Sequence, residues 1–306
     1  MILYDHKSRF IAPPYRALRL VLIVVLALGL TCLEAIAEST ETAGSSKAGD
    51  SSGTSLHKTE LGQLTEELSD EQSGWDFHVA PYFWFLSVDG DVTVKGQESD
   101  VDVGFDKIWD ELNIAAMLEF EARKGRWGLY GDTIAANLGH STTVEGVDID
   151  PTINILFLTL GGFYRLGTWD LTDAPGEKTP TVTVDAFAGA RYTYLELKLD
   201  IKGFPNFDGD QDWVDPMTGI RTLWDLTRRW SMTLEGSVGG FGVGSDFAWH
   251  AFGLLGYRFG LFGEDNARVA GGYRAMYQDY TNGSGDDKFE WDVTLHGPIL
   301  GLIIEF

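Results

Sequence analysis

The 306-residue sequence predicts an all-β fold: a closed antiparallel transmembrane β-barrel of about ten strands behind a disordered N-terminal segment. Three observations carry this. Hydrophobic residues make up 44% of the chain, yet past the N-terminal signal no segment approaches the ~18 consecutive apolar residues of a membrane helix. After Gly74 the chain becomes a series of period-2 segments rich in Tyr, Trp, Phe, Val and Gly, separated by turn clusters. Its last segment, Gly301 to Phe306, is an apolar alternating strand with a terminal aromatic, the form expected of the strand that closes such a ring.

The N-terminus supplies the compartment. Lys7, Arg9, Arg16 and Arg19 form a basic region, the apolar run Leu20 to Leu30 follows, and Ala35-Ile36-Ala37 offers a small-x-small cleavage site. Residues 1–37 are therefore expected to be a signal peptide, cleaved after Ala37 on export to the outer membrane. The run is too short for a spanning helix, which needs ~20 residues. Cys32, the single cysteine, lies inside the signal, so the mature chain has no disulfide and no Cys-based metal site. Residues 38–74 are rich in Ser, Thr, Gly, Glu and Lys with few core-forming residues. Such a segment cannot bury enough surface to offset ordering entropy and reads as a disordered periplasmic linker. The barrel domain is expected over 75–306.

The whole chain has 23 Lys+Arg against 46 Asp+Glu. Without the four basic and two acidic residues of the signal, the balance is 19 against 44, or −25. A surface so acidic is repelled by phosphate backbones, which excludes nucleic acid as a partner.

Ten strands are predicted, approximately Trp75 to Val88, Asn113 to Arg123, Trp127 to Leu138, Thr152 to Leu166, Thr181 to Leu195, Trp213 to Leu226, Trp230 to Gly240, Asp246 to Phe259, Arg268 to Tyr280 and Phe289 to Phe306. Lys124-Gly125-Arg126 and Thr227-Arg228-Arg229 read as tight turns, and the links after Val88, Leu138 and Leu195 as longer acidic or polar outer loops. Gly167 to Pro180 is long for a periplasmic turn, and Gly242 to Ser245 short for an outer loop.

Alternation assigns the faces. In the eighth strand Phe247, Trp249, Ala251, Gly253, Leu255, Tyr257 and Phe259 share one side, opposed to Ala248, His250, Phe252, Leu254, Gly256 and Arg258. The first set is apolar with aromatics at both ends, as a lipid face with two interfacial girdles requires. The seventh strand repeats it, with Trp230, Met232, Leu234 and Val238 opposed to Ser231, Thr233, Glu235 and Ser237, and so does the ninth, with Val269, Tyr273 and Tyr277 opposed to Arg268, Arg274 and Gln278. The polar face carries charges of both signs: Glu119, Asp185, Arg191, Asp215, Arg221, Glu235, Arg258 and Arg274. Ten strands enclose a lumen little wider than one that side chains fill, so these charges must pair or hydrate. They form either an ion-pair network stapling the interior or a charged constriction for small solutes.

Trp75 to Leu86 with Asp89-Gly90-Asp91-Val92, Val101 to Leu112, Glu121 to Trp127, Gly189-Ala190-Arg191-Tyr192, Trp213 to Gly219, Gly256-Tyr257-Arg258-Phe259 and Gly297 to Gly301 together resemble a broad group of uncharacterised proteobacterial outer-membrane β-barrel proteins. The resemblance covers nearly everything after Gly74. It implies fold and location, and no catalytic residues.

Other chemistries have weaker support. His140, with Asp208, Asp210, Asp212, Asp286 and Asp287 in predicted outer loops, offers ingredients for a rim hydrolase. Gly49-Asp50-Ser51-Ser52-Gly53 matches a nucleophile-elbow pattern without the strand and helix that motif needs. Asp208, Asp210 and Asp212 have the opening spacing of a calcium loop, but Trp213 stands where Gly is required and Gly219 where the closing Glu belongs. They are weak candidates for divalent cations, and no cofactor is expected. Phe105, Ile108, Trp109 and Leu112 recur at helical spacing in the first outer loop and are expected to form a plug-like helix seated on the barrel mouth. The expected role is structural, or narrow small-solute passage, with a rim hydrolase or a surface-binding protein using its acidic loops as alternatives. Expected partners are outer-membrane lipid, the barrel-assembly machinery through the strand ending in Phe306, and divalent cations at the acidic loops.

Overall fold

The computed structural model describes residues 74–139, 142–144, 147–172, 179–201, 207–261 and 264–306. The predicted signal peptide, nearly all of the predicted linker, and His140 lie outside the described residues. Among the described residues there are thirteen strands, β1 (Asp76–Trp84), β2 (Ser87–Val94), β3 (Gln97–Val103), β4 (Leu112–Lys124), β5 (Trp127–Gly139), β6 (Thr142–Val144), β7 (Val147–Asp170), β8 (Thr181–Ile201), β9 (Phe207–Asp225), β10 (Trp230–Gly239), β11 (Phe247–Leu261), β12 (Glu264–Asn282) and β13 (Phe289–Glu305), and one α-helix, α1 (Phe105–Glu111). Ten of the strands follow one another around an antiparallel ring, β1-β4-β5-β7-β8-β9-β10-β11-β12-β13, and β13 pairs back to β1 to close it. Closure leaves the ten-strand ring without a free edge, so each of its strands has backbone partners on both sides, and β2 and β3 continue the sheet from β13.

The turns follow from local chemistry. Lys124 pairs directly with Trp127, leaving the two-residue loop Gly125-Arg126 with a positive φ at Gly125, the requirement of a type II′ hairpin. At the other end Val94 pairs with Gln97, and Lys95 and Gly96 both have positive φ, as a type I′ turn demands. The longer acidic loop expected after Val88 is in fact built largely as this β2–β3 hairpin. Its Val/Asp alternation on either side of Lys95-Gly96 is a strand signal in its own right. The predicted first strand is split as a result: β13 serves β1 with Ile299–Glu305 and β2 with Glu290–His296. The changeover falls at Gly297, where a Cβ would lie 1.9 Å from the Phe85 carbonyl oxygen. Only glycine fits there.

The wall is not of even height. Strands β7, β8, β9 and β12 extend past their predicted ends, whereas β10 and β11 are joined by a compact turn in which Gly240, Phe241 and Gly242 all have positive φ. Between β1 and β4 the ladder stops at Pro81–Leu118. Above that point the Trp84 N–H donates to the Met117 Sδ at 3.1 Å. Here α1 packs against the wall, with Phe105 and Trp109 touching Phe83 and Phe85 at centroid distances of 4.9 to 6.3 Å.

Alternation sorts the two faces as the sequence predicts. Leu118, Phe120, Leu129, Leu160, Ile220, Leu234, Leu255, Val269 and Leu300 are exposed outside, while Ser231, Ser237, His250, Arg274 and Gln278 are buried inside. Aromatic pairs flank this apolar band: Trp127–Tyr164 and Trp230–Tyr257 near the β4–β5 and β9–β10 turns, and Phe247–Tyr277 and Trp249–Tyr277 near the opposite end. Replacing Leu255 by Arg is expected to cost roughly 2–4 kcal/mol, as a cation on a mid-bilayer lipid face does. Denaturant titration of the barrel refolded into lipid measures it, and a neutral effect would mean the faces are swapped.

Candidate functional site: the barrel lumen

The lumen is divided into three layers by the side chains pointing into it. At the end holding the β4–β5 and β9–β10 turns, an open vestibule of about 550 Å³ is lined by charged residues, among them Asp76, Glu121, Arg123, Arg165, Arg221, Arg258 and Arg268. Above it the free space breaks into two smaller chambers, about 80 Å³ beside His78, Tyr82 and Arg268 and about 30 Å³ among Glu119, Asp132, Arg191, Glu235 and Arg274. The far end is filled by one apolar cluster.

Charges in the lower and middle layers are stapled across the barrel. The Arg221 guanidinium donates to Glu121 at 2.6 Å and to Asp185 at 3.1 Å, and Arg165 closes on the same Asp185 at 2.9 and 3.3 Å. Arg274 donates to Asp132 at 2.6 Å and to the Tyr82 hydroxyl at 2.9 Å, while that hydroxyl donates to Asp132 at 2.6 Å. Tyr82 sits on β1, Asp132 on β5 and Arg274 on β12, so this triad ties strands that are not neighbours. Glu235 approaches His250 at 3.6 Å, and Glu119 approaches His78 at 3.2 Å.

Arg191 and Asp215 are cross-strand partners, yet neither is hydrogen-bonded to the other. Asp215 is held by neutral donors instead: the Ser245 N–H at 2.6 Å, the Ser245 hydroxyl at 2.8 Å, and Trp213 and Gln278 at 3.1 Å each. Four donors satisfy a buried carboxylate without a cation, and this carboxylate fastens the β10–β11 turn down over the lumen. Arg191 donates to Thr159 at 3.1 Å. The sequence reading did not single out Tyr82, Asp132 or Arg165. Asp132 was legible in principle, since on β5 it takes the face opposite exposed Leu129, but its partner is 142 residues away.

Trp84, Val88, Val92, Ile153, Trp291, Val293 and Leu295 are at most 1% exposed and join Val101, Val103, Ile108, Ile134, Leu138, Ile155, Leu195 and Trp213 in a single core cluster. Trp213 stacks on Tyr280 at 4.1 Å. The plug is thus built mainly from the β2–β3 hairpin and inward wall residues. Of the helical stripe, only Ile108 is buried in the cluster, with Leu112 partly buried against it. Phe105 and Trp109 turn away to the aromatic group on the wall, because α1 is seated in the wall between β1 and β4 rather than across the mouth.

Asp208, Asp210 and Asp212 do not form a calcium loop. They belong to β9, paired with Lys198, Glu196 and Tyr194, and alternate carboxylates on an extended strand are ~6–7 Å apart, too far to share one ion. Among the described residues the group with metal-ligand spacing is His78, Glu119 and Glu121, whose donor atoms lie within 4.8 Å of one another. His78 and Glu119 already satisfy each other, and Glu121 already holds Arg221, so a divalent cation would have to displace both.

On the outer wall His296 links Asp89, at 2.5 Å from its Nε2, to the Tyr273 hydroxyl, at 2.6 Å from its Nδ1. Ser87 stands directly opposite His296, but both imidazole nitrogens are engaged and neither is left to take a serine proton. Beside this group a row of carboxylates runs in register over four strands, Asp279–Asp292–Asp91–Asp100. Like charges directly opposite destabilise a sheet. Partial burial, followed by the charges of Asp292, Asp246 and Glu290, raises the Asp279 carboxyl above its ordinary range. The folded chain therefore binds this proton more readily than the unfolded one. Stability rises as pH falls through the raised value, and the repulsion is fully present above it. Asp279→Asn should be more stable than wild type at pH 7, with the advantage fading towards the ordinary aspartate range. Thermal unfolding at several pH values checks this, and a pH-independent difference would rule it out.

No family model matches the chain, and no curated protein matches it in sequence. Among solved structures it is similar to the attachment invasion locus protein Ail of Yersinia pestis in complex with the heparin analogue sucrose octasulfate, at 12% identity over 77% of this chain and 100% of that one, with a TM-score of 0.33. The outer membrane protease OmpT of Escherichia coli matches at 10% identity over 76% and 97%, TM-score 0.40. A Pseudomonas aeruginosa FadL homologue matches at 8% over 76% and 90%, TM-score 0.24. The barrel architecture rests on this chain's own strand register, not on these likenesses.

Proposed function

We propose that the protein is a closed, non-conducting outer-membrane β-barrel with a structural role, its lumen serving as its core. The observation that carries this is the apolar cluster across the far end of the lumen, in which Trp84, Trp291 and Leu295 are each at most 1% exposed. A conducting pore needs a continuous water column, and the cross-braced middle layer narrows to about 30 Å³, room for little more than a water molecule. The exposed apolar band between two sets of aromatics supports residence in a bilayer. Closure of the ring by β13 pairing back to β1 suits delivery by the barrel-assembly machinery, and the acidic outer face suits weak, cation-bridged contact with lipid phosphates.

Planar-bilayer recording of refolded protein tests this reading. The expected result is no stepwise conductance from protein that runs anomalously on denaturing gels unheated and near its mature mass after boiling. Reproducible single-channel openings from such protein would overturn it in favour of small-solute passage.

A further inference from the structure

The vestibule holds more guanidinium donors than its own carboxylates use. Arg258 on β11 and Arg268 on β12 are direct cross-strand partners, both line the vestibule, and the Nε of each is buried without a hydrogen-bond partner. Two cations opposed on one face repel each other, and a buried N–H left unpaired is a further cost. Of the carboxylates lining the chamber, Asp76 is committed to Arg123, Glu121 to Arg221 and Glu305 to the far end of Arg268, and Asp225 lies on the same wall. Among the described residues none of these ion pairs reaches Arg258. A negatively charged group seated between the two guanidiniums from the vestibule side would relieve the repulsion through their outward N–H donors.

We propose that Arg258 and Arg268 form an oxyanion-binding site, taking a carboxylate or phosphate group that enters the vestibule through its open end. Guanidinium groups bind both planar carboxylates and phosphates through paired N–H donors. The Ser231 hydroxyl lines the same chamber and supplies a neutral donor for a larger ligand. Above the pair the lumen narrows, so the vestibule is blind and the ligand leaves the way it came. That its open end faces the periplasm rests on the outer-membrane reading above; the binding chemistry does not.

The test uses full-length protein refolded in detergent, titrated calorimetrically with inorganic phosphate and, separately, with succinate, at constant ionic strength. Saturable binding of at least one is expected, weakened tenfold or more in Arg258→Gln. Binding of phosphate alone would identify a phosphate-bearing ligand, and of succinate alone a carboxylate. Because Arg258→Gln removes a like-charge contact, the ligand-free variant should unfold at the same temperature as wild type or higher, and the bound probe should raise the wild-type value only. No saturable binding of either probe to heat-modifiable barrel, or equal binding by wild type and Arg258→Gln, would overturn the proposal. Loss of heat-modifiable migration would count against the barrel reading instead, so the two failures are distinguishable.

Discussion

Replacing Arg274 by leucine is expected to destabilise the folded barrel by roughly 3–5 kcal/mol, because it removes the guanidinium hydrogen-bonded to the Asp132 carboxylate and leaves that charge with the Tyr82 hydroxyl as its remaining side-chain donor. Arg274 is 5% exposed, donates to Asp132 and Tyr82, and lies over the Trp84 ring at 5.1 Å, so the change also removes packing at the base of the apolar plug. Asp132→Leu alone should be similarly costly. The double variant should recover a large part of the loss, since two apolar side chains of suitable volume often replace a buried pair at little net cost. Denaturant unfolding of the four proteins gives the coupling energy. Additive effects would show that Arg274 and Asp132 do not act as a pair.

Trp291→Ala is expected to cost roughly 3–5 kcal/mol, the range for removing a fully buried large aromatic. Trp291 is 0% exposed and faces Val92 across the β13–β2 ladder, so its loss opens a cavity under the hairpin that covers the lumen. The hairpin, held mainly by this cluster and by β13, should loosen before the barrel opens. Limited proteolysis is expected to cut the variant between Val94 and Val103 while the wall strands remain intact on heat-modifiability gels. An unchanged unfolding midpoint would mean that the cluster does not hold the far end together.

Much of the architecture was legible because a membrane barrel repeats one instruction. Every wall strand alternates, and in a barrel that alternation must agree with inside and outside, so Leu255 and Arg258 announce opposite faces with no knowledge of their neighbours. The ring size also followed, since turn clusters mark each reversal. Glu119, Arg191, Arg221, Glu235, Arg258 and Arg274 line cavities inside the ring, because facing is a property of position along a strand. Partnership is not. Which cation meets which carboxylate depends on strand register and on distances across the ring, and Arg274 reaches Asp132 only because the closed barrel brings β12 opposite β5.

The sequence by itself therefore determined the class of fold, the two faces and the balance of charge. The tertiary structure alone decided that Asp215 is held by neutral donors and not by Arg191, that Phe105 and Trp109 lie on the wall while Ile108 enters the core, and that a hairpin rather than a helix fills the far end. The physical reason is that local alternation fixes where a side chain points, whereas closure of the ring fixes what it meets.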